Sequence, residues 1–79
     1  MKMFKYNIHK EADNDKFEAA CKKIENSIND LHIEKPLIDV DGSVIQIYRT
    51  DNKKIKVCND YEVDAVFVDS EANLDELFL

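Results

Sequence analysis

The sequence predicts one α+β domain over residues 1–79, in the order β-α-β-β-β-α: a four- to five-stranded, mostly antiparallel sheet with one long helix packed on one face and a short helix at the C-terminus. Three observations predict it. One apolar stripe recurs at helical spacing, apolar runs of strand length lie on either side of it, and an Asp-Gly pair separates two of those runs.

Residues 3–8 alternate, so Phe4, Tyr6 and Ile8 share one face of a strand and Lys5 and Asn7 the other. Phe17, Cys21, Ile24, Ile28 and Leu31 then follow at spacings of four, three, four and three, an amphipathic helix of about 15 residues. Asp15 with Glu18 three residues on has the form of its capping box. Pro36 bars any continuation of the helix and opens a hairpin.

Asp41-Gly42 suits a two-residue type I′ turn. Such a turn sets Ile38 opposite Ile45 and Val40 opposite Ser43, and places Ile38, Val40, Ile45 and Ile47 on the face under the helix. For the next hairpin, a three-residue loop near residues 50–53 pairs Ile47 with Val57 and keeps Ile45, Ile47, Ile55 and Val57 on one side. A two- or four-residue loop would pair Tyr48 with Ile55 and turn Ile55 and Val57 away from Ile45 and Ile47. The odd loop is therefore expected, with Asn52 or Lys53 in the left-handed region. Residues 63–69 read as an interior strand, apolar on both faces around Val66-Phe67-Val68. Ser70 is expected to cap a terminal helix with Leu74, Leu77 and Phe78 along its apolar edge.

A chain of 79 residues buries only about 60–65% of the surface it exposes when unfolded, which leaves little core to hollow into a substrate cavity. Enzymatic function is therefore not expected. A 44% apolar and 35% charged composition suits a folded domain, and a single Gly leaves no glycine-rich phosphate loop. Neither a secretory leader nor a membrane-crossing run is evident, so a cytoplasmic protein is expected, with Cys21 and Cys58 as reduced core thiols. Ten lysines against one arginine, with many isoleucines and asparagines, are what AT-rich coding produces, as in a bacterial or phage gene.

The soft metal ligands Cys21, Cys58, His9 and His32 show no zinc spacing. Read as a calcium loop with Gly42 at its sixth position, the Asp-rich hairpin starts at Leu37 and ends at Tyr48, where Asp and Glu are required, so the turn reading wins. No metal and no cofactor are expected. Cys58 or Ser43 with His9 or His32 carries no signature of nucleophilic catalysis. Nucleic-acid binding is disfavoured by a net charge of −6, and Lys53, Lys54 and Lys56 read as a solvated hairpin tip.

The positive signal is asymmetry of charge. From Val57 onward there is no Lys, Arg or His, yet Asp60, Glu62, Asp64, Asp69, Glu71, Asp75 and Glu76 all occur. If residues 60–64 are extended, Asp60, Glu62 and Asp64 point one way about 6.6 Å apart, close to the spacing of phosphates on a nucleic-acid strand. Such a field repels membranes and nucleic acid and steers toward basic proteins. It also serves simple solubility, the competing reading. Tyr48 falls on the sheet face opposite the expected core, either exposed as an anchor or covered by the terminal helix.

The expected function is a non-catalytic, acidic protein-binding module. It would act as a stoichiometric inhibitor that engages the basic, nucleic-acid-binding surface of a nuclease or defence effector, in the manner of a phage anti-restriction or anti-CRISPR protein or an immunity protein. The expected contact residues are Tyr48, Asp60, Tyr61, Glu62, Asp64, Asp69 and Glu71, with no direct nucleic-acid or membrane binding. The alternative is a self-assembling accessory protein, homodimeric for instance, that uses the apolar back face of its sheet through Leu37, Val44 and Tyr48.

Overall fold

The computed structural model describes residues 2–79 and has the expected α+β architecture. Strand β1 (Phe4–His9) leads to helix α1 (Asn14–Ser27), followed by two-residue strands β2 (His32–Ile33) and β3 (Leu37–Ile38), then β4 (Val44–Thr50), β5 (Lys53–Asp60), β6 (Ala65–Ser70) and the one-turn helix α2 (Asp75–Phe78). The sheet therefore has six strands rather than four or five. Its order is β1-β6-β5-β4-β2, with β3 also on the outer edge of β4, and every pairing is antiparallel. As expected, the 65–70 strand is interior, between β1 and β5. Among the described residues no helix is long and apolar enough to cross a membrane.

Phe17, Cys21 and Ile24 of the predicted stripe, and Ala20 beside them, are buried on α1. Ile28 and Leu31 lie beyond the helix end but still pack, partly buried, against the same core. The N-cap lies two residues before the predicted one. Asp13, with extended backbone, accepts the Lys16 N–H at 3.0 Å, and its own N–H donates to the buried Asn59 side chain at 3.0 Å. A tertiary anchor on β5 thus selects Asp13 over Asp15 as the N-cap.

The β4–β5 hairpin departs from the expected register. Asp51 (φ 48°) and Asn52 (φ 61°) both take the left-handed conformation, closing a two-residue loop in which Thr50 pairs with Lys53 and Tyr48 with Ile55. Asp and Asn tolerate that conformation better than other non-glycine residues, which lets the tighter loop form. The face under α1 therefore carries Tyr48, Ile55 and Val57, packed with Val66, Val68, Tyr6 and with Phe17, Ala20, Cys21 and Ile24 of α1, all at most 9% exposed. Ile45 and Ile47 point to the opposite, open face with Cys58 and Phe67.

The β3–β4 connection also slips by one residue from its expected pairing. Leu37 opposes Ile45 and Ile38 opposes Val44, so Ile38 and Val40 are exposed rather than part of the core. The Asp39 N–H donates to the Ser43 carbonyl and the Gly42 N–H to the Asp39 carbonyl. The carboxylates of Asp39 and Asp41 accept the N–H groups of Val40 and Ser43. These two side-chain caps support a longer loop than the two-residue turn, with Gly42 at φ 90°.

At the C-terminus, Ser70 ends β6 and exchanges hydrogen bonds with the Ala72 backbone instead of capping a helix. Helix α2 starts only at Asp75, fixed by Tyr6. Its buried hydroxyl accepts the Leu74 N–H at 2.8 Å and donates to the Asp75 carboxylate at 2.7 Å.

A candidate acidic docking site

Both helices pack on the Tyr48 side of the sheet, since Tyr6 and the α1 stripe belong to that core. The open face is left to side chains of the sheet itself. Toward the end where the 39–43 and 61–64 loops lie, it sinks into a depression of about 420 Å³. Leu37, Ile45 and Phe67 form its apolar part, and Asp39, Asp41, Asp60, Glu62 and Asp69 stand around it with Lys56.

Strand pairing explains why carboxylates distant in sequence meet there. Val44 pairs with Asn59, which brings the loop before β4 beside the loop after β5. The Tyr61 N–H donates to Ser43 Oγ at 2.9 Å, and the Tyr61 ring lies beside Gly42, where an added Cβ would be 3.5 Å from Cε2. Asp60 ends β5 and residues 61–64 are a turn, so the condition that residues 60–64 be extended is not met. The Asp60 carboxylate closes the turn by accepting the Glu62 and Val63 N–H groups at 2.9 and 3.2 Å, and Asp64 takes φ 56°. The even ladder of Asp60, Glu62 and Asp64 therefore does not exist.

The predicted contact residues divide. Asp60, Glu62 and Asp69 line the depression; Tyr61, between Asp60 and Glu62 in the chain, is 48% exposed and does not line it. Asp64 is directed to the helix entry, where it accepts the Ala12 N–H at 2.8 Å. Glu71 lies at the opposite end of the sheet, accepting the Lys54 N–H at 2.7 Å. Tyr48 is no surface anchor. It is fully buried and its hydroxyl donates to the Glu25 carboxylate, so burial, then that bond, raises its pKa above the ordinary phenol value. Asp39 and Asp41 join the site from the hairpin, where the sequence reading saw only a turn. Their signal was the Asp-x-Asp spacing itself, whose significance depends on the pairing of β4 with β5.

The site's charge is little compensated. Among the described residues the one ion pair joins Arg49 and Glu34, away from the depression. Asp69 has Lys56 and Lys5 as cross-strand neighbours, and Lys5 Nζ lies over the Phe67 ring at 4.8 Å. The Ser43 N–H and hydroxyl hold the Asp41 carboxyl below the usual range. The carboxylates ring the depression without converging: among the described residues no three of His, Cys, Asp or Glu are placed to hold a metal ion.

Cys58 lies in the depression, nearly buried, and burial followed by Asp69 pushes its thiol up to about 11. A thiol so disposed stays protonated at neutral pH and is a poor nucleophile. Cys21 is buried on α1, on the other side of the sheet, and both thiols are free. His9 on β1 and His32 on β2 are each two strands away from Cys58, a lateral separation of about 10 Å by inter-strand spacing. His32 is moreover in register with Lys54, four residues from Cys58 along β5. No known protein family matches this sequence, and no curated protein or solved structure is significantly similar to it.

Proposed function

We propose that the protein is a non-catalytic, acidic protein-binding module that inhibits its partner stoichiometrically by covering a basic, nucleic-acid-binding surface, as on a nuclease or a defence effector. The observation that carries this reading is the meeting of Asp39, Asp41, Asp60, Glu62 and Asp69 around one depression with a single lysine lining it. An exposed ion pair contributes only about 0.2–1 kcal/mol against about 1.4 kcal/mol for a tenfold change in affinity, so one pair does not suffice and several must act together. Grouped charge does this and also speeds encounter, whereas the same carboxylates spread over the molecule would serve solubility alone.

The test replaces charge while keeping shape. The wild type and a D39N/D41N/D60N/E62Q variant are used to capture proteins from a bacterial lysate. Each captured protein is then titrated for binding of a labelled DNA duplex. Displacement of DNA at one equivalent by the wild type, lost in the variant, supports the reading. Equal capture and equal displacement by both baits refutes it. Self-assembly through the open face is the second reading, favoured by Leu37 at 57% exposed with Ile45 and Phe67 beside it. Light scattering that shows a monomer at high concentration removes it.

A further inference from the structure

We infer that the docking end recognises an amphipathic cationic segment of its partner, one that offers apolar side chains together with lysine or arginine, and not a purely charged surface. This rests on the reading of the site as a protein-binding one and specifies what the site takes. The observation is independent of the acids. Of the eight large hydrophobic residues exposed among the described residues, five fall at this end: Leu37, Ile38, Val40, Tyr61 and Val63. Singly exposed apolar residues are ordinary. Here, however, Leu37, Ile38 and Val40 follow one another on β3 and its loop, and Tyr61 and Val63 stand on the loop that the Tyr61–Ser43 hydrogen bond ties to it. Such grouping is a mark of interaction sites. Val40 is as exposed as a free side chain.

The apolar and acidic groups alternate along the same two loops. Val40 lies between Asp39 and Asp41, and Tyr61 and Val63 flank Glu62. A mimic of bare phosphates has no use for the valines and the tyrosine. A surface meant only for solubility would not hold them exposed. Interfaces commonly combine an apolar centre with a polar rim, and a partner with both kinds of side chain satisfies both sets here.

The arrangement is also pre-formed. Asp39, Asp41 and Asp60 each use Oδ1 to fix a neighbouring N–H, and Tyr61 N–H with Ser43 Oγ ties the loops together. Little ordering is then left for the moment of binding. A cationic segment suits this end better than a second copy does, because the copy's own apolar tip carries the same carboxylates.

Two synthetic peptides of equal length and charge separate the contributions, one alternating lysine with leucine, the other lysine with serine. Binding to the full chain is read by fluorescence anisotropy at physiological ionic strength. The leucine peptide is expected to bind about tenfold or more tighter than the serine peptide. L37S/V40S should abolish that difference, and M3S/L79S, which removes exposed apolar residues elsewhere, should leave it intact. D39N/D41N/D60N/E62Q should weaken both peptides. Equal affinity for the two peptides, or equal losses in L37S/V40S and M3S/L79S, overturns the inference and leaves the acidic module standing. Failure of both peptides to respond to the charge variant removes the acidic module as well.

Discussion

Replacing Tyr48 by phenylalanine removes one oxygen atom from the centre of the domain, and replacing it by alanine removes the ring. The side chain is fully buried, opposite Ile55 on one neighbouring strand and Ile33 on the other, with its hydroxyl donating to Glu25. A hydrogen bond to a charged acceptor is worth about 1.5–3 kcal/mol. Glu25 lies on the exposed side of α1 and is rehydrated when the hydroxyl goes, so the lower half of that range applies. Y48F should cost about 1.5 kcal/mol, lowering the melting temperature by roughly 6–12 °C in a domain this small. Y48A adds a cavity where the ring was and should cost about 3–5 kcal/mol, close to the whole stability of a chain this short. Urea unfolding followed by circular dichroism measures both. I47A is the companion: Ile47 is shielded, but on the open face, outside the cluster beneath the helix, and should cost less than Y48A. If Y48F and Y48A both stay within about 0.5 kcal/mol of wild type while I47A is severe, the β4–β5 pairing is displaced by one residue and the site built on it dissolves.

Stability should fall at high pH. Burial raises the Tyr6 and Tyr48 phenols above their ordinary value and pushes Cys58 up to about 11, so the native state keeps protons that the unfolded chain sheds from about pH 8.5 to 10 upward. Each such group contributes fully below its unfolded pKa. Above it, stability declines by up to about 1.4 kcal/mol per pH unit per group until the folded pKa is passed. Urea midpoints should hold to about pH 8 and drop by pH 11, with a shallower drop in Y48F; a midpoint flat to pH 11 contradicts this. N59A should cost about 1–2 kcal/mol, because Asn59 is buried and its Oδ1 holds the Asp13 N–H at the start of α1. Hydrogen exchange should show the loss first in the opening turn of that helix. G42A should cost about 1–2 kcal/mol in a thermal melt for its φ of 90° alone, since the added methyl meets the Tyr61 ring at ordinary contact distance.

The fold class was legible because helical and strand periods differ and each persists in this sequence. Phe17, Ala20, Cys21 and Ile24 could face inward together only on a helix, and Val66 and Val68 only on a strand. Register was not legible. It hung on whether Asp51 and Asn52 would both take positive φ, a preference of about a kcal/mol that local sequence does not decide. Keeping Ile45, Ile47, Ile55 and Val57 on one face, the criterion that set the expected register, also misled. Tyr48 can be wholly buried because Glu25, on the adjacent helix, accepts its hydroxyl, and no sequence spacing reveals that partner. The helix start was misplaced for a like reason, since Asn59 lies 46 positions from Asp13.

The same pairing that defeated the register forecast decides what the charge can do. Linear counting found a base-free C-terminal stretch, yet in space Asp64 and Glu71 leave it for backbone duties, while Asp39 and Asp41 enter from the other half of the chain. Charge and structure are entangled at the remaining positions, because Asp39, Asp41 and Asp60 hold their own loops with Oδ1. Alanine there would collapse the turns and remove the charge at once, so lost binding would say nothing about electrostatics. Asparagine keeps an acceptor oxygen in the same place and removes only the charge. Because the core lies beneath α1 on the other face, the amide variants should unfold at nearly the wild-type urea concentration. Any binding they lose is then a measure of the field itself, and it should shrink as salt shortens the screening length from about 10 Å at 0.1 M to 3 Å at 1 M.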